Sequence, residues 1–267
     1  MNPLQTEPAA DTDPYELHPD GDAAPTANLM LLVATLLPPA ALDELGPLVE
    51  EHTVTTPYGA VGPLALRRLP GGAMLWIQPY SGPATRTDPR ATVHAAWQLG
   101  VRQVVAWDQV VALNPVLPRG QAGVVVDYID WTRQAATFNS APPAQAVSEG
   151  PVFCPRLRAG LQAAFPFAVE VVYLGVDGPR RETPAEARLY RLWGADVIGQ
   201  NVTPEAALCH EAGICFAALV TVGELAADRQ ARPAQGELRG GLAAVLAALP
   251  SFVEAAVRAG PCACALG

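Results

Sequence analysis

Short apolar runs alternate along this chain with segments of helical period that open on proline. Runs at 29–35, 64–69, 73–78, 103–107, 123–129 and 169–174 are of strand length and predict buried strands. Helical spacing fits 89–99, 155–164, 184–193, 204–212 and 240–258, and Pro250 is expected to kink or interrupt the last of these. The stretch 183–222 is the most explicit. Thr183-Pro184-Ala185-Glu186 is a capping box with proline at the first helical position. Leu189, Leu192 and Trp193 are expected to form that helix's buried stripe, and Gly194 suits the left-handed position that ends it. A short strand at 195–199 follows, then a helix opened by Thr203-Pro204-Glu205 and closed by Gly213, then a strand at 214–222. Strand, helix, strand at this spacing is a βαβ unit. The expected fold class is α/β: one domain, a mixed sheet with flanking helices.

Composition narrows the choices. The chain has 267 residues, half of them apolar and 16% charged, which suits one large globular domain. Residues 1–27 carry Glu7, Asp11, Asp13, Glu16, Asp20 and Asp22 among prolines and alanines, and read as an acidic disordered arm before a domain over 28–260. A net charge of −9 argues against nucleic acid or an anionic membrane as partner. The apolar run 29–37 is too short to span a bilayer. All 17 cationic residues are arginine, so neither a Schiff-base lysine nor a P-loop lysine is available. Five cysteines and no secretion signal point to reduced thiols in the cytoplasm. Cys262-Ala263-Cys264 lacks neighbouring ligands in sequence, so 261–267 is expected to be an exposed tail without a metal. There is no Ser-His-Asp arrangement and no glycine-rich dinucleotide loop, and no cofactor is expected. Pro142-Pro143 is expected in a loop, and His94 is expected to pack near Trp97 rather than act in catalysis.

Several tracts, in order, resemble the trimeric purine nucleoside phosphorylases, with the methylthioadenosine phosphorylases as the most similar branch. They are Thr56-Pro57-Tyr58-Gly59, the strand Val126-Asp127-Tyr128-Ile129-Asp130-Trp131-Thr132, and Phe153-Cys154-Pro155-Arg156. The fourth is the succession Gly194 to Ile198, Thr203-Pro204-Glu205, and Glu211 to Phe216. Together they cover roughly 28–258. The resemblance implies a nucleoside phosphorylase-like fold, a small-molecule nucleoside as substrate and phosphate as co-substrate. It also implies a purine-salvage role and a homotrimer in which a neighbouring subunit helps close each site.

That chemistry needs donors for an anion, a wall for the ribose and an acid for the departing purine. By resemblance, Thr35 sits in the phosphate loop, here Val33-Ala34-Thr35-Leu36 without the family's glycines. Gln78 stands where the family has an arginine, and Asp108 where a hydroxyl donates to phosphate. A carboxylate about 4 Å from phosphate repels it by roughly 4 kcal/mol at an effective dielectric near 20. Asn201 falls on a further phosphate-side position and Gln200 on the methionine beside the ribose. Arg181 falls on the aromatic that stacks on the base, and Glu224 on the acid serving N7; Ala226 replaces a second carboxylate. The residues alone leave plainer roles open. Thr35 suits a backbone-bonded strand hydroxyl, Asp108 a turn cap, and Arg180 with Arg181 a solvated pair. Three functions remain: a phosphorylase with an altered site, a nucleoside hydrolase in which Asp108 orients water, and a non-catalytic binder on the same fold.

Overall fold

The computed structural model describes residues 27–37, 39–79, 88–139, 141–144, 150–229, 235–260, 262 and 264. The expected acidic arm, but for Ala27, lies outside the described residues. The order of elements is β1 (Leu29–Ala34), β2 (Leu48–Thr56), β3 (Gly59–Arg68), β4 (Met74–Gln78), α1 (Pro89–Gln98), β5 (Gln103–Ala112) and β6 (Ala122–Trp131). There follow α2 (Pro155–Ala164), β7 (Val169–Val176), α3 (Pro184–Leu192), β8 (Val197–Gly199), α4 (Thr203–Glu211), β9 (Cys215–Leu225) and α5 (Gln235–Ala259).

The helices start where local chemistry says they must. Asp88 caps α1 by accepting from the Arg90 N–H, and the Thr183–Glu186 capping box of α3 is complete in both directions. Gly194 and Gly213 take φ of 90° and 67° just past the ends of α3 and α4. The nine strands form one mixed sheet in the order β2-β3-β4-β1-β5-β8-β7-β6-β9, and β9 pairs back with β5. The second half of the sheet therefore closes into a five-stranded barrel, while the first half stays open. Parallel pairing runs through β4, β1, β5 and β9, so the C-terminal ends of these strands share one edge. Two apolar cores line the two faces, one containing Trp76, Phe138 and Phe216 and the other Trp107, Phe165 and Phe252.

Four expectations are corrected. Strand β2 was not anticipated, because only Val54 and Thr56 of its nine residues are buried and no apolar run marks it. It pairs with β3 across Pro57-Tyr58, where the Thr56 hydroxyl accepts from the Tyr58 N–H and donates to the Gly59 carbonyl. On α3 the stripe is rotated: Ala187 and Tyr190 are buried, whereas Leu192 is 84% exposed. Ala187 and Tyr190 join the small cluster of Leu174, Ala195 and Ile198. Trp193 instead packs edge-on against exposed Trp131. Helix α5 begins at Gln235 and continues through Pro250. Buried Leu249, Phe252 and Val253 on either side hold it to the core, so packing outweighs the proline's local cost. That helix has the length and hydropathy of a membrane span, yet its Val245–Ala256 stripe belongs to the core beneath α2. Finally, Cys262 and Cys264 are not an exposed tail. They are partly buried against Cys154 and Cys215.

Candidate active site

Strand register gathers the expected site at the C-terminal sheet edge, the usual ligand position in open α/β sheets. Leu32 pairs with Gln78, Ala34 with Asp108, and Val111 with Glu224. The turn between β8 and α4 adds Gln200 and Asn201. A cavity of 190 Å³ opens there, lined by Ala34, Leu36, Asp108, Gln109, Gly199 and Asn201 among others.

Asp108 is the centre of this cavity's polar wall. Its carboxyl is buried inside β5, so it is no turn cap; β5 runs four residues beyond it. Oδ2 accepts from the Tyr173 hydroxyl at 2.7 Å and Oδ1 from Asn201 Nδ2 at 3.0 Å. The Asn201 N–H in turn donates to Tyr173 Oη at 3.1 Å. Burial raises the Asp108 pKa from 3.8 to about 6, against the lowering effect of these hydrogen bonds. About half of Asp108 is therefore an uncharged acid at pH 6, and roughly a tenth at pH 7. A side chain at position 199 would destroy the arrangement: a Cβ there would lie 2.3 Å from Tyr173 Oη and 2.5 Å from Asp108 Oδ2. Gly199→Ala is accordingly expected to cost about 1–3 kcal/mol of stability through overpacking. Urea denaturation measures this, and an unchanged midpoint would contradict it.

The other expected residues divide into two groups. The Thr35 hydroxyl is buried and directed to the Trp107 carbonyl at 3.4 Å, the backbone-bonded arrangement. Gln78 Nε2 faces Thr92 Oγ1 at 3.4 Å, and its Oε1 is buried with no hydrogen-bond partner among the described residues. The Gln200 side chain lies against Gly178, in space that any Cβ on residue 178 would claim. Arg181 and Glu224 meet in an ion pair of 3.1 Å, both side chains about half exposed. Arg181 also donates to the Leu225 carbonyl, and the neighbouring buried Glu182 accepts from the Ala227 N–H at 2.7 Å. These bonds fix the loop before α3 to the end of β9. Arg180 points elsewhere, to Glu186. A larger cavity of 680 Å³ flanks this loop, lined by Asp130–Arg133, Val176–Arg180 and Tyr190. Its size suits a small molecule.

Sequence reasoning missed Tyr173 and Glu205. Tyr173 sits in an apolar strand run and carries no local mark of a polar task. Glu205 was read only as part of a helix start, yet its Oε2 is enclosed without a partner among the described residues, and burial together with the Asp108 charge pushes its pKa to about 7. His94 is fully buried, edge-on to Trp97 and Tyr58, and burial holds it below its ordinary pKa.

Comparison with known proteins adds a family to this geometry. The model of the phosphorylase superfamily matches residues 31–258. The chain belongs to this superfamily. A probable S-methyl-5'-thioinosine phosphorylase of Methanothermobacter thermautotrophicus is 31% identical over 192 residues, covering 70% of this chain and 68% of that protein. A 6-oxopurine nucleoside phosphorylase of Pyrococcus furiosus is 30% identical over 194 residues, covering 66% and 73%. Among solved structures, a methylthioadenosine phosphorylase from an antarctic soil metagenomic library superposes with a TM-score of 0.78 at 22% identity, over 91% of this chain and 90% of that one. The methylthioadenosine phosphorylase of Schistosoma mansoni in complex with tubercidin gives 0.74 at 21% identity, over 86% and 91%. The mixed α/β fold is that of the nucleoside phosphorylases, and the chain is phosphorylase-like in family and architecture.

Proposed function

We propose that this protein transfers the pentose of a purine nucleoside, with 5'-methylthioadenosine a leading candidate, to inorganic phosphate. The observation that carries the proposal is the buried Asp108–Tyr173–Asn201 network beside a cavity at the C-terminal sheet edge. A charged Asp108 would repel phosphate, but burial raises its pKa to about 6, so that roughly a tenth is protonated at pH 7 and about half at pH 6, and the protonated carboxyl with the Asn201 and Gln109 amides offers donors to the anion. A phosphate oxygen bonds to C1' as the glycosidic C–N bond breaks. The proton of hydrogen phosphate ends on the purine, leaving a pentose 1-phosphate. In this reading Glu224, paired with Arg181, supports the proton at the purine N7.

Base release from methylthioadenosine, adenosine, inosine and guanosine, each with and without phosphate, tests this. Release that depends on phosphate is the expected result. Release without phosphate would transfer the role to water and sink the phosphorylase reading, as would no release from a folded sample. We further propose a homotrimer in the cytoplasm serving purine salvage, as the resemblance of the sequence motifs implies. Exposed Trp131, Leu189, Leu192 and Trp193 supply apolar surface for a neighbouring copy. Sedimentation of the same sample reads the assembly, and a monomer would count against it.

A further inference from the structure

The opposite end of the sheet holds a second constellation, built from three distant parts of the chain. Cys154 stands at the N-cap of α2, Cys215 begins β9, and Cys262 and Cys264 follow α5. One sulfur from each lies within 4.8 Å of all the others. The measured separations are 3.3 Å for Cys154–Cys262, 3.6 Å for Cys215–Cys262, 3.7 Å for Cys215–Cys264 and 2.9 Å for Cys262–Cys264. All four thiols are free. A tetrahedral zinc with Zn–S bonds of about 2.3 Å sets its sulfurs about 3.8 Å apart. Three of these four edges lie within half an ångström of that, the Cys262–Cys264 pair has to open by about 0.9 Å, and the two remaining edges are within 4.8 Å.

We propose that Cys154, Cys215, Cys262 and Cys264 form a structural tetrathiolate site for zinc. Their supports are in place. The Cys154 N–H donates to the Phe216 carbonyl at 2.7 Å, which locks the α2 cap to β9. Arg156 donates from Nη1 to the Ala259 carbonyl at 3.0 Å and from Nη2 to the Gly260 carbonyl, which fixes the chain just before Cys262. Its Nη2 also reaches Gln103 Oε1 at 3.2 Å, so a guanidinium sits near the dianionic cluster that metal binding creates. Cys154 and Cys215 are buried against the core that contains Leu157 and Phe252. Four sulfur ligands leave no open position, so the site braces the fold and performs no hydrolysis. Binding converts four thiols and Zn(II) into a tetrathiolate of charge −2 and releases up to four protons to water. The metal would tie the exit of α5 to the start of β9, in place of a contact between loose thiols.

The test uses the full-length chain, reduced and freed of metal, titrated with Zn(II) against a chromophoric chelator. One equivalent per chain is expected to bind. The Cys262→Ser/Cys264→Ser double variant is expected to lose stoichiometric binding at micromolar zinc, while Cys209→Ser, on α4 outside the cluster, keeps it. Cobalt(II) added to the parent should give the intense visible spectrum of a tetrahedral thiolate site, a readout independent of whether any variant folds. No stoichiometric zinc, binding unaffected by the double variant, a six-coordinate cobalt spectrum, or disulfides among the four cysteines in reductant would each overturn the proposal.

Discussion

Asparagine at position 108 is expected to remove most of the pH dependence of phosphorolysis and to make the variant faster than the parent above neutrality. The reason is the protonation state of a buried group. Asp108 is raised from 3.8 to about 6 because its charged form lacks the hydration it would have in water. A group of that pKa is roughly 90% protonated at pH 5 and about 1% protonated at pH 8. If the protonated acid admits phosphate, kcat/KM for phosphate falls about tenfold per pH unit above 6. Asparagine keeps the neutral shape: its oxygen accepts from Tyr173 and its NH2 group meets Asn201 with the latter's amide turned. At pH 8 the variant is then expected to exceed the parent by up to about 100-fold. Phosphate's own titration is common to both proteins, so their ratio isolates Asp108. A parent profile flat from pH 5 to 8, or a variant that falls in parallel, would show that this carboxyl does not gate the anion.

Loss of Glu224 is the second large expectation. Glu224→Ala should lower kcat on purine nucleosides by about 10²–10⁴-fold, the range that one positioned acid or base contributes. The side chain is 55% exposed and paired with a half-exposed arginine, so its removal should leave stability within about 1 kcal/mol of the parent. Circular dichroism and thermal melting check that point. The defect should shrink on a nucleoside whose N7 is already methylated and cationic, because that base leaves without help at N7. An equal loss on both substrates would place Glu224 in binding or positioning and not in proton support at N7.

Most of the residues that resemblance named lie along one edge of the sheet, but their contacts there were not legible from it. Resemblance placed Asp108 as a charge opposed to phosphate, whereas in the fold Tyr173 and Asn201 bond it and burial raises its pKa to about 6. It set Arg181 and Glu224 as separate contacts to the base, and the fold couples them. Thr35 proved to be held by a backbone carbonyl across β5.

What the sequence by itself determined was local. Proline, the Thr183–Glu186 box and the glycines at 194 and 213 act within four residues of themselves, so helix starts and ends could be read directly. Buried strands showed as apolar runs for the same reason. Everything that joins distant positions was decided by tertiary structure. Strand register brings Asp108 to Tyr173 across 65 residues and to Asn201 across 93, and it closes β9 onto β5. Packing chose the buried face of α3 and carried α5 through Pro250, and the segment after α5 brought Cys262 to Cys154 across 108 residues. Such contacts, and the pKa shifts they bring, depend on which surfaces meet and exclude water. No short stretch of sequence records that.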